Sequence, residues 1–231
     1  MPTVILLRHG RTSANAGGVL AGWTPGVELD ETGVAQAKAV GERLAQVPLA
    51  AIVSSPLERC RQTAEAVAAG RELAVQDDDR LGEARYGDWT GRTLKDLVKE
   101  PLWKVVQQHP SAAVFPGPEG EGLAQTQARA VSAVREWNAK LGPDAVWLAC
   151  SHGDVIKAIL ADALGLHLDQ FQRIVVDPAS ISVITYTDTR PFVVRVNDTG
   201  GDVSGLIPPP KRRRRKASSD AVVGGGAGSA V

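Results

Sequence analysis

Two histidines in the sequence stand directly before a glycine and close behind a short apolar run. His9 follows the apolar residues 4–7, and His152 follows the apolar residues 146–149. A run of four apolar residues bounded by polar ones predicts a buried strand, and the glycine lets the chain turn sharply after it. Ligands of open α/β sheets collect at the carboxyl ends of strands, so the two histidines predict a site at one sheet edge.

The residues around the histidines suit a phosphoryl group. Arg8 precedes His9, and Arg59 is predicted in the first turn of a helix, where backbone N–H groups and the helix dipole favour an anion. Thr12 and Asn15 add a hydroxyl and an amide. Arginines could equally hold a carboxylate. Two histidines nevertheless indicate phosphoryl transfer, because an unprotonated imidazole is a good nucleophile near neutral pH.

A metal ion is the competing explanation for paired histidines. No acidic or histidine partner has a suitable spacing, and the flanking arginines would repel a cation. We therefore expect neither a metal nor another cofactor. Cys60 and Cys150 have no zinc-type spacing and are expected to be buried, reduced thiols.

The elements that must position these residues alternate along the chain, with residues 77–91 as a loop. Hydrophobic periodicity predicts strands near 4–7, 51–53, 73–75, 146–149, 181–186 and 192–196, and helices near 32–46, from 55 onward, 93–108, 121–141 and 155–164. Thr32 is the predicted cap of the first helix, and Ser55 with Glu58 forms a predicted capping box around Pro56. This order predicts an α/β fold, a three-layer α/β/α sandwich with a mainly parallel sheet and an antiparallel edge strand.

The composition indicates one globular domain and a tail. Of 231 residues, 43% are hydrophobic, and we predict a catalytic domain at residues 1–198 and a disordered basic tail, rich in Pro, Gly and Ser, at 199–231. Without Asp220 and the six basic residues at 211–216, the chain has 20 basic and 25 acidic residues, a net charge of −5. That charge argues against nucleic-acid binding by the folded domain.

The basic residues of the tail and the lengths of the apolar runs lead to expectations about partners and location. Residues 211–216 could attach to nucleic acid or an anionic membrane, but a solvated tail is the favoured interpretation. No apolar run has the length of a membrane span or of a secretory signal, so a cytoplasmic protein is expected. A homodimer through the edge hairpin or an apolar helix face is left open.

Four motifs in order give the chain a family resemblance. They are Arg-His-Gly-x-Thr-x-x-Asn at 8–15, Ser-Ser-Pro-x-x-Arg-x-x-Gln-Thr-Ala at 54–64, Glu-Ala-Arg-Tyr-Gly-Asp-Trp-Thr-Gly at 83–91, and Ser-His-Gly at 151–153. Over roughly residues 3–197 the chain resembles the histidine phosphatase superfamily, in its phosphoglycerate-mutase-like branch. The resemblance implies an enzyme that acts on a small phosphorylated metabolite.

The resemblance also implies roles for individual residues. His9 would become the phosphohistidine, within a phosphate pocket formed by Arg8, Arg59 and His152. Glu83 would protonate the leaving oxygen and then activate water, which requires a raised pKa from burial beside aromatic residues such as Tyr86 and Trp89. Trp89 itself is expected to pack rather than bind. The expected substrate-binding residues are Thr12, Asn15, Arg85 and Gly153, with exposure as an equal alternative for Arg85.

Departures from the cofactor-dependent mutases favour hydrolysis. Ala84 stands where those mutases have an arginine, Leu94 where they have a lysine, and Asp154 where they have an asparagine. Their paired arginines have no counterpart, since Lys104 is the only cation between residues 101 and 115. We predict a phosphomonoester hydrolase, with a phosphomutase as the alternative.

Two further points stay open in the sequence. A non-catalytic phosphate-binding or partner-binding protein would lack His9, Glu83 or an arginine of the pocket, and none of these is missing. The segment 115–122 resembles the family's Pro-Gly-Gly-Glu-Ser loop, but either Glu119 or Glu121 could take the place of its glutamate.

Overall fold

A computed structural model describes residues 1–200, and the predicted basic tail from residue 201 onward lies outside the described residues. The strands are β1 (Thr3–Arg8), β2 (Ile52–Ser54), β3 (Val75–Asp77), β4 (Val146–Ser151), β5 (Ile181–Tyr186) and β6 (Pro191–Asp198). The helices are α1 (Ser13–Ala16), α2 (Glu31–Leu44), α3 (Glu58–Ala68), α4 (Leu94–Leu97), α5 (Pro101–Gln108), α6 (Leu123–Leu141) and α7 (Gly153–Ala163).

The six strands form one sheet in the order β3-β2-β4-β1-β5-β6. Strands β1 to β4 pair in parallel, whereas β5 runs antiparallel to both β1 and β6. The predicted mainly parallel sheet with an antiparallel edge is therefore confirmed. Arg8 pairs with Ser151 and Ser54 pairs with Cys150, so the carboxyl ends of β1, β4 and β2 lie at the same level.

Two apolar layers cover the two faces of the sheet. Val4 and Leu6 of β1 belong to the cluster that contains the inner faces of α6 and α7. Ile5 and Leu7 belong to the second cluster, with the inner faces of α2 and α3. Because β1 is buried on both sides, its sequence is a continuous apolar run rather than an alternating one. This arrangement confirms the three-layer sandwich.

Several helix boundaries differ from the predicted ones. The predicted helix at 93–108 is two short helices, because Pro101 lacks a backbone N–H and begins α5 at its first turn. Asp30, not Thr32, caps α2, and its carboxylate accepts the Gly33 N–H at 2.8 Å. The third strand lies two residues later than predicted, at Val75–Asp77.

The predicted capping box of α3 is wrong. The helix begins at Glu58 with Leu57 as its N-cap, and no side chain caps it. Pro56 therefore lies before the helix, although Arg59 does fall in the first turn. The Ser55 hydroxyl lies 2.8 Å from His152 Nε2 and accepts the Leu57 N–H, so this serine serves the site instead.

Candidate active site

The strand register brings the two histidines together. Arg8 of β1 pairs with Ser151 of β4, and the His9 N–H donates to the Ser151 carbonyl at 3.0 Å. His9 and His152 are therefore the next residues of two neighbouring parallel strands. Their ring centroids lie 5.2 Å apart in an edge-to-face arrangement, and both side chains are buried. The convergence predicted from the sequence is present.

Hydrogen bonding fixes which nitrogen of His9 is reactive. Nδ1 lies 2.7 Å from the Gly10 carbonyl oxygen, and a carbonyl can only accept. Nδ1 therefore carries the proton, and Nε2 keeps the lone pair. Burial and the positive charges of Arg59 and Arg8 hold the pKa of His9 well below 6.5. At neutral pH the imidazole is thus unprotonated at Nε2.

Gly10 is needed for close packing rather than for a left-handed turn. Its φ is not positive, but a Cβ at this position would lie 2.6 Å from the Gly33 carbonyl oxygen. The Gly10 N–H donates to the Thr63 hydroxyl of α3 at 3.0 Å. The loop after His9 therefore packs closely against α2 and α3, and Gly10 is required by that close approach.

Two buried arginines surround the histidines. Arg8 Nη1 donates to the Val176 carbonyl and Arg59 Nη2 donates to the Gly22 carbonyl, each at 2.8 Å. Arg59 Nη1 is buried and has no hydrogen-bond partner among the described residues. A buried charged donor without a partner is costly, and an anion at this position would satisfy it. The pair therefore has the chemistry of an oxyanion pocket.

The loop before β5 positions Arg8 and His9, and no motif in the sequence pointed to it. Besides the Val176 carbonyl, the Ala179 N–H donates to the carbonyls of Arg8 and His9. Ala179 has a φ of 57°, a backbone conformation that a residue with a Cβ rarely adopts. The Asn197 side chain of β6 binds Asp177 twice, at 2.6 and 2.8 Å, and so anchors this loop.

His152 is neutral and hydrogen-bonded on one side. Its Nε2 lies 2.8 Å from the Ser55 hydroxyl and 3.4 Å from the buried Cys60 thiol. Burial, followed by the charge of Arg59, holds its pKa well below 6.5. Gly153 is the first residue of the eleven-residue helix α7, so its backbone N–H belongs to an anion-favouring helix end. Both cysteines are free and buried, as predicted.

Thr12 and Asn15 form a local cap. The Asn15 N–H donates to the Thr12 hydroxyl, and the Thr12 N–H donates to the Asn15 amide oxygen, both at 3.1 Å. These bonds account for the short helix α1, which the sequence did not predict. The Asn15 amide can donate to a substrate only through Nδ2. The predicted contact of both residues with substrate stays a prediction.

Glu83 is buried beside the second histidine. Its Oε2 lies 3.9 Å from His152 Nδ1, and its Oε1 accepts the Ala84 N–H at 3.0 Å. Burial raises the pKa of Glu83 to about 7, and the negative charge of Asp154 adds to this effect against the opposing charge of Arg59. The carboxyl can therefore hold or release a proton near neutral pH, as a general acid and base must.

The backbone at Glu83 is held by side chains from distant parts of the chain. Its carbonyl accepts Trp23 Nε1 at 2.6 Å and Arg129 Nη2 at 3.0 Å. Arg129 Nη1 also donates to the carbonyls of Arg80 and Gly82, at 2.7 and 2.8 Å. Arg129 lies in the middle of α6 and belongs to no motif, so sequence reasoning missed it.

Contacts with Arg129 distinguish the two candidate glutamates of the 115–122 loop. Arg129 binds both carboxylate oxygens of Glu121, at 2.6 and 2.9 Å. Glu121 also accepts the Arg85 N–H, whereas the Glu119 side chain is 80% exposed. Glu121 is therefore the glutamate with fixed contacts in this loop. Through Arg129 and the Arg85 N–H it stabilises the segment that contains Glu83.

Arg85 and Trp89 have different surroundings. The Arg85 guanidinium lies 4.1 Å from the ring centroid of Trp23 and 3.9 Å from Glu119, and its side chain is half-exposed. Trp89 is buried, with ring centroids 5.5 Å from Phe115 and 6.2 Å from Trp103. The structure thus supports packing for Trp89 and places Arg85 on an exposed surface.

Outside the pocket, the described part of the chain shows no cluster of side chains that could bind a metal ion. His109 and His167 are largely exposed and lie 3.8 and 3.4 Å from Asp169. Within residues 1–200, no group of three or more His, Cys, Asp or Glu side chains could hold a metal ion. In the same part of the chain, none of the helices is long and apolar enough to cross a membrane.

Comparison with known proteins agrees with this geometry. The family model of the histidine phosphatase superfamily (branch 1) matches residues 4–199. The chain belongs to this superfamily. Phosphoserine phosphatase 1 of Hydrogenobacter thermophilus is 30% identical to this histidine phosphatase over 86% of the chain and 93% of the relative. The probable phosphoglycerate mutase GpmB of Proteus mirabilis is 31% identical over 89% and 95%.

A solved structure gives the same result. Bacillus stearothermophilus YhfR matches with a TM-score of 0.79 and 29% identity, over 86% of this chain and 98% of that structure. The predicted family and fold are therefore confirmed, as is an enzyme of the phosphatase or mutase type.

Proposed function

We propose that this histidine phosphatase is a phosphomonoester hydrolase that works through a phosphohistidine on His9. The observation that carries the proposal is the juxtaposition of three features in one buried pocket. They are a neutral His9 with its lone pair on Nε2, an Arg59 donor without a partner among residues 1–200, and a Glu83 carboxyl with a pKa of about 7. Together they supply a nucleophile, an anion site and a proton source.

The first step transfers the phosphoryl group to the enzyme. His9 Nε2 attacks phosphorus while the bond from phosphorus to the leaving oxygen breaks, and protonated Glu83 gives its proton to that oxygen. Arg8 and Arg59 stabilise the charge that spreads over the three non-bridging oxygens. The products are a phosphohistidine, a Glu83 carboxylate and the released alcohol.

The second step returns the enzyme to its starting state. The Glu83 carboxylate takes a proton from a water molecule whose oxygen attacks phosphorus, and the bond between phosphorus and Nε2 breaks. Inorganic phosphate leaves, His9 is again neutral and Glu83 is again protonated. His152 assists as a neutral neighbour of both groups, since its pKa is also held low.

The residues at the positions where the mutases bind the sugar acid support hydrolysis over mutase chemistry. Ala84 is fully buried and Leu94 packs against the hydrophobic core, so neither position offers a cation to a sugar acid. Lys104 is exposed on α5. The relatives carry both kinds of name, so the choice rests on these residues and on a direct assay.

The assay compares transfer of the phosphoryl group to water with its transfer to a phosphoglycerate, and it uses the chain of residues 1–231. We expect release of inorganic phosphate from p-nitrophenyl phosphate and from a panel of phosphorylated metabolites. Phosphoryl exchange between 2- and 3-phosphoglycerate should be far slower than phosphate release. Exchange that outpaces phosphate release would instead identify the phosphomutase alternative.

The proposal extends to location and partners. Buried free thiols at Cys60 and Cys150 support a reducing, cytoplasmic location. The proposed substrate is a small phosphorylated metabolite, and no nucleic acid is expected to bind the domain. A homodimer stays a prediction, to which the exposed side chains of Phe192, Val194 and Val196 on edge strand β6 are relevant. Sedimentation of the full chain would measure it.

A further inference from the structure

Ser55 is a fully buried serine whose hydroxyl contacts two groups. The Leu57 N–H donates to its oxygen at 3.3 Å, and His152 Nε2 lies 2.8 Å from the same oxygen. Among the described residues, no other group is hydrogen-bonded to this hydroxyl. A hydroxyl has one proton, and a buried donor without an acceptor is costly. Because the Leu57 N–H cannot accept that proton, Ser55 donates it to His152 Nε2.

The hydrogen bond from Ser55 determines the state of the whole His152 ring. A ring nitrogen that accepts a hydrogen bond has a lone pair, and an imidazolium ring has no such nitrogen. His152 is therefore neutral, and its single ring proton lies on Nδ1. This assignment follows from the hydrogen bonding of Ser55, and the low pKa that burial gives His152 is consistent with it.

The Nδ1 edge of His152 has no strong acceptor in the described part of the chain. Glu83 Oε2 and Cys60 Sγ each lie 3.9 Å from Nδ1. The first distance is too long for a hydrogen bond, and a thiol sulfur is a weak acceptor. Cys60 Sγ also lies 3.4 Å from Nε2 and donates to the Ser151 carbonyl at 3.5 Å, so it does not favour Nδ1. The Nδ1–H group is thus an unused donor on the Glu83 side of the pocket.

We infer that Ser55 is a positioning residue that holds His152 as the Nδ1–H tautomer, so that His152 donates a hydrogen bond to a non-bridging phosphoryl oxygen. That oxygen is an anionic acceptor, which matches the unused donor on Nδ1. The opposite tautomer would turn a lone pair toward the anion and leave the Ser55 proton without an acceptor. The inference rests on the proposed function, and it adds the residue that selects the phosphate-binding form of His152.

Nitrogen NMR of the chain of residues 1–231 tests the tautomer without turnover. With ¹⁵N-labelled histidine, the protonated and the unprotonated nitrogen of a neutral ring have well separated chemical shifts, and comparison with His152→Asn assigns the His152 signals. We expect the proton on Nδ1 in the wild type and a mixture of both tautomers in Ser55→Ala. A wild-type ring protonated at Nε2, or an unchanged tautomer in Ser55→Ala, would overturn the inference.

Steady-state kinetics compares Ser55 with its neighbour in the chain. Ser55→Ala should lower kcat/KM for p-nitrophenyl phosphate by about tenfold, because the donor of His152 is no longer held in place. Ser54→Ala is the matched control, since Ser54 is equally buried and its hydroxyl donates to the Ser55 carbonyl rather than to His152. The control should stay within about twofold of the wild type. Equal losses in the two variants, with thermal unfolding as a check of folding, would contradict the inference.

A double-mutant cycle shows whether Ser55 acts through His152. His152→Asn has a shorter side chain that loses the Nε2 contact, so adding Ser55→Ala to it should cost less than about twofold in kcat/KM. A further tenfold loss in the double variant would show that Ser55 acts independently of His152, which overturns the inference. If the wild type hydrolyses no phosphate ester, the proposed function fails, and the NMR measurement still decides the tautomer of His152.

Discussion

The proposed site has two parts. The phosphate-binding end consists of residues at or just after strands, whereas the leaving-group end, which contains Glu83, consists of loop residues. Arg8, His9 and His152 follow from the pairing of β1 with β4, and Arg59 from the helix after β2. Glu83 lies in a loop that Arg129 and Trp23 hold through its backbone carbonyl. Strand register sets the backbone positions of the phosphate-binding residues, with support from the loop before β5, whereas the backbone of Glu83 is held by side chains alone.

The difference predicts different consequences of mutation. We expect a substitution of His9 or His152 to remove one chemical group, because the pairing of β1 with β4 is made by the backbone. At the leaving-group end, a substitution that never touches the substrate can displace Glu83.

The largest effect is expected from His9→Ala. The variant lacks the nucleophile, so kcat should fall by about 10⁴-fold or more for every substrate. Steady-state assays and thermal unfolding would be measured together. The control is His167→Ala, an exposed histidine outside the pocket, which should keep full activity. A His9→Ala protein with substantial turnover would break the account of the phosphate end.

Glu83→Gln should cost about 10²- to 10⁴-fold with alkyl phosphates, since glutamine can accept the Ala84 N–H but cannot donate a carboxyl proton. With p-nitrophenyl phosphate the loss should be smaller. Exposed Glu119→Gln is the matched control and should behave as wild type. Equal losses with both kinds of ester would remove the proton-donor role.

Arg129→Met tests whether the loop end depends on distant support. The variant loses the bonds to three loop carbonyls and to Glu121, so we expect about a 10- to 100-fold drop in kcat, largest for alkyl phosphates. Arg135→Met, on the same helix with an exposed ion pair, is the control. A normal kcat in Arg129→Met would show that Glu83 is positioned without α6.

The pH profile separates the two ends within one protein. Phosphorylation needs unprotonated His9 and protonated Glu83. The pKa of His9 is held well below 6.5, so acidification to about pH 6 should leave the nucleophile intact. The pKa of Glu83 is about 7, so kcat/KM for an alkyl phosphate should fall as pH rises above 7. A rate that climbs steadily from pH 7 to 9 would contradict the assignment.

The smallest effect is expected from Arg85→Ala. The side chain stacks on Trp23 at an exposed position, so it can contact a leaving group without touching phosphorus. We expect KM to rise by about two- to tenfold for some substrates, with little change in kcat. Kinetics across the metabolite panel would measure this. A loss in kcat as large as that of Glu83→Gln would move Arg85 into the chemistry.

The same contrast explains what the sequence could predict. The histidine pair, Arg59 and the mainly parallel sheet follow from apolar runs and the residues that end them, because strand pairing converts sequence position into spatial position. These features depend on local patterns and on one rule of sheet geometry. Burial of Glu83, in contrast, was expected only because the general-acid role implied by the family resemblance requires it.

The remainder depends on tertiary contacts. Arg129 lies on an ordinary amphipathic helix, and only the folded chain shows which carbonyls it reaches. Ser55 has the spacing of a helix cap, yet in the folded chain its hydroxyl is hydrogen-bonded to His152. The loop at Val176 and Ala179 precedes β5 with no motif of its own. Pro101 is the exception, because a proline within the predicted helix was a readable signal of its division.

Trapping the phosphoenzyme would show which residue receives the phosphoryl group. The protein would be mixed with a radiolabelled phosphate ester, quenched in alkali, digested and mapped by mass spectrometry. We predict an acid-labile, base-stable phosphoryl group on His9 that forms and decays at rates compatible with turnover, and that Glu83→Gln forms it slowly from alkyl esters. A label on any other residue, or turnover with no label, would contradict the account.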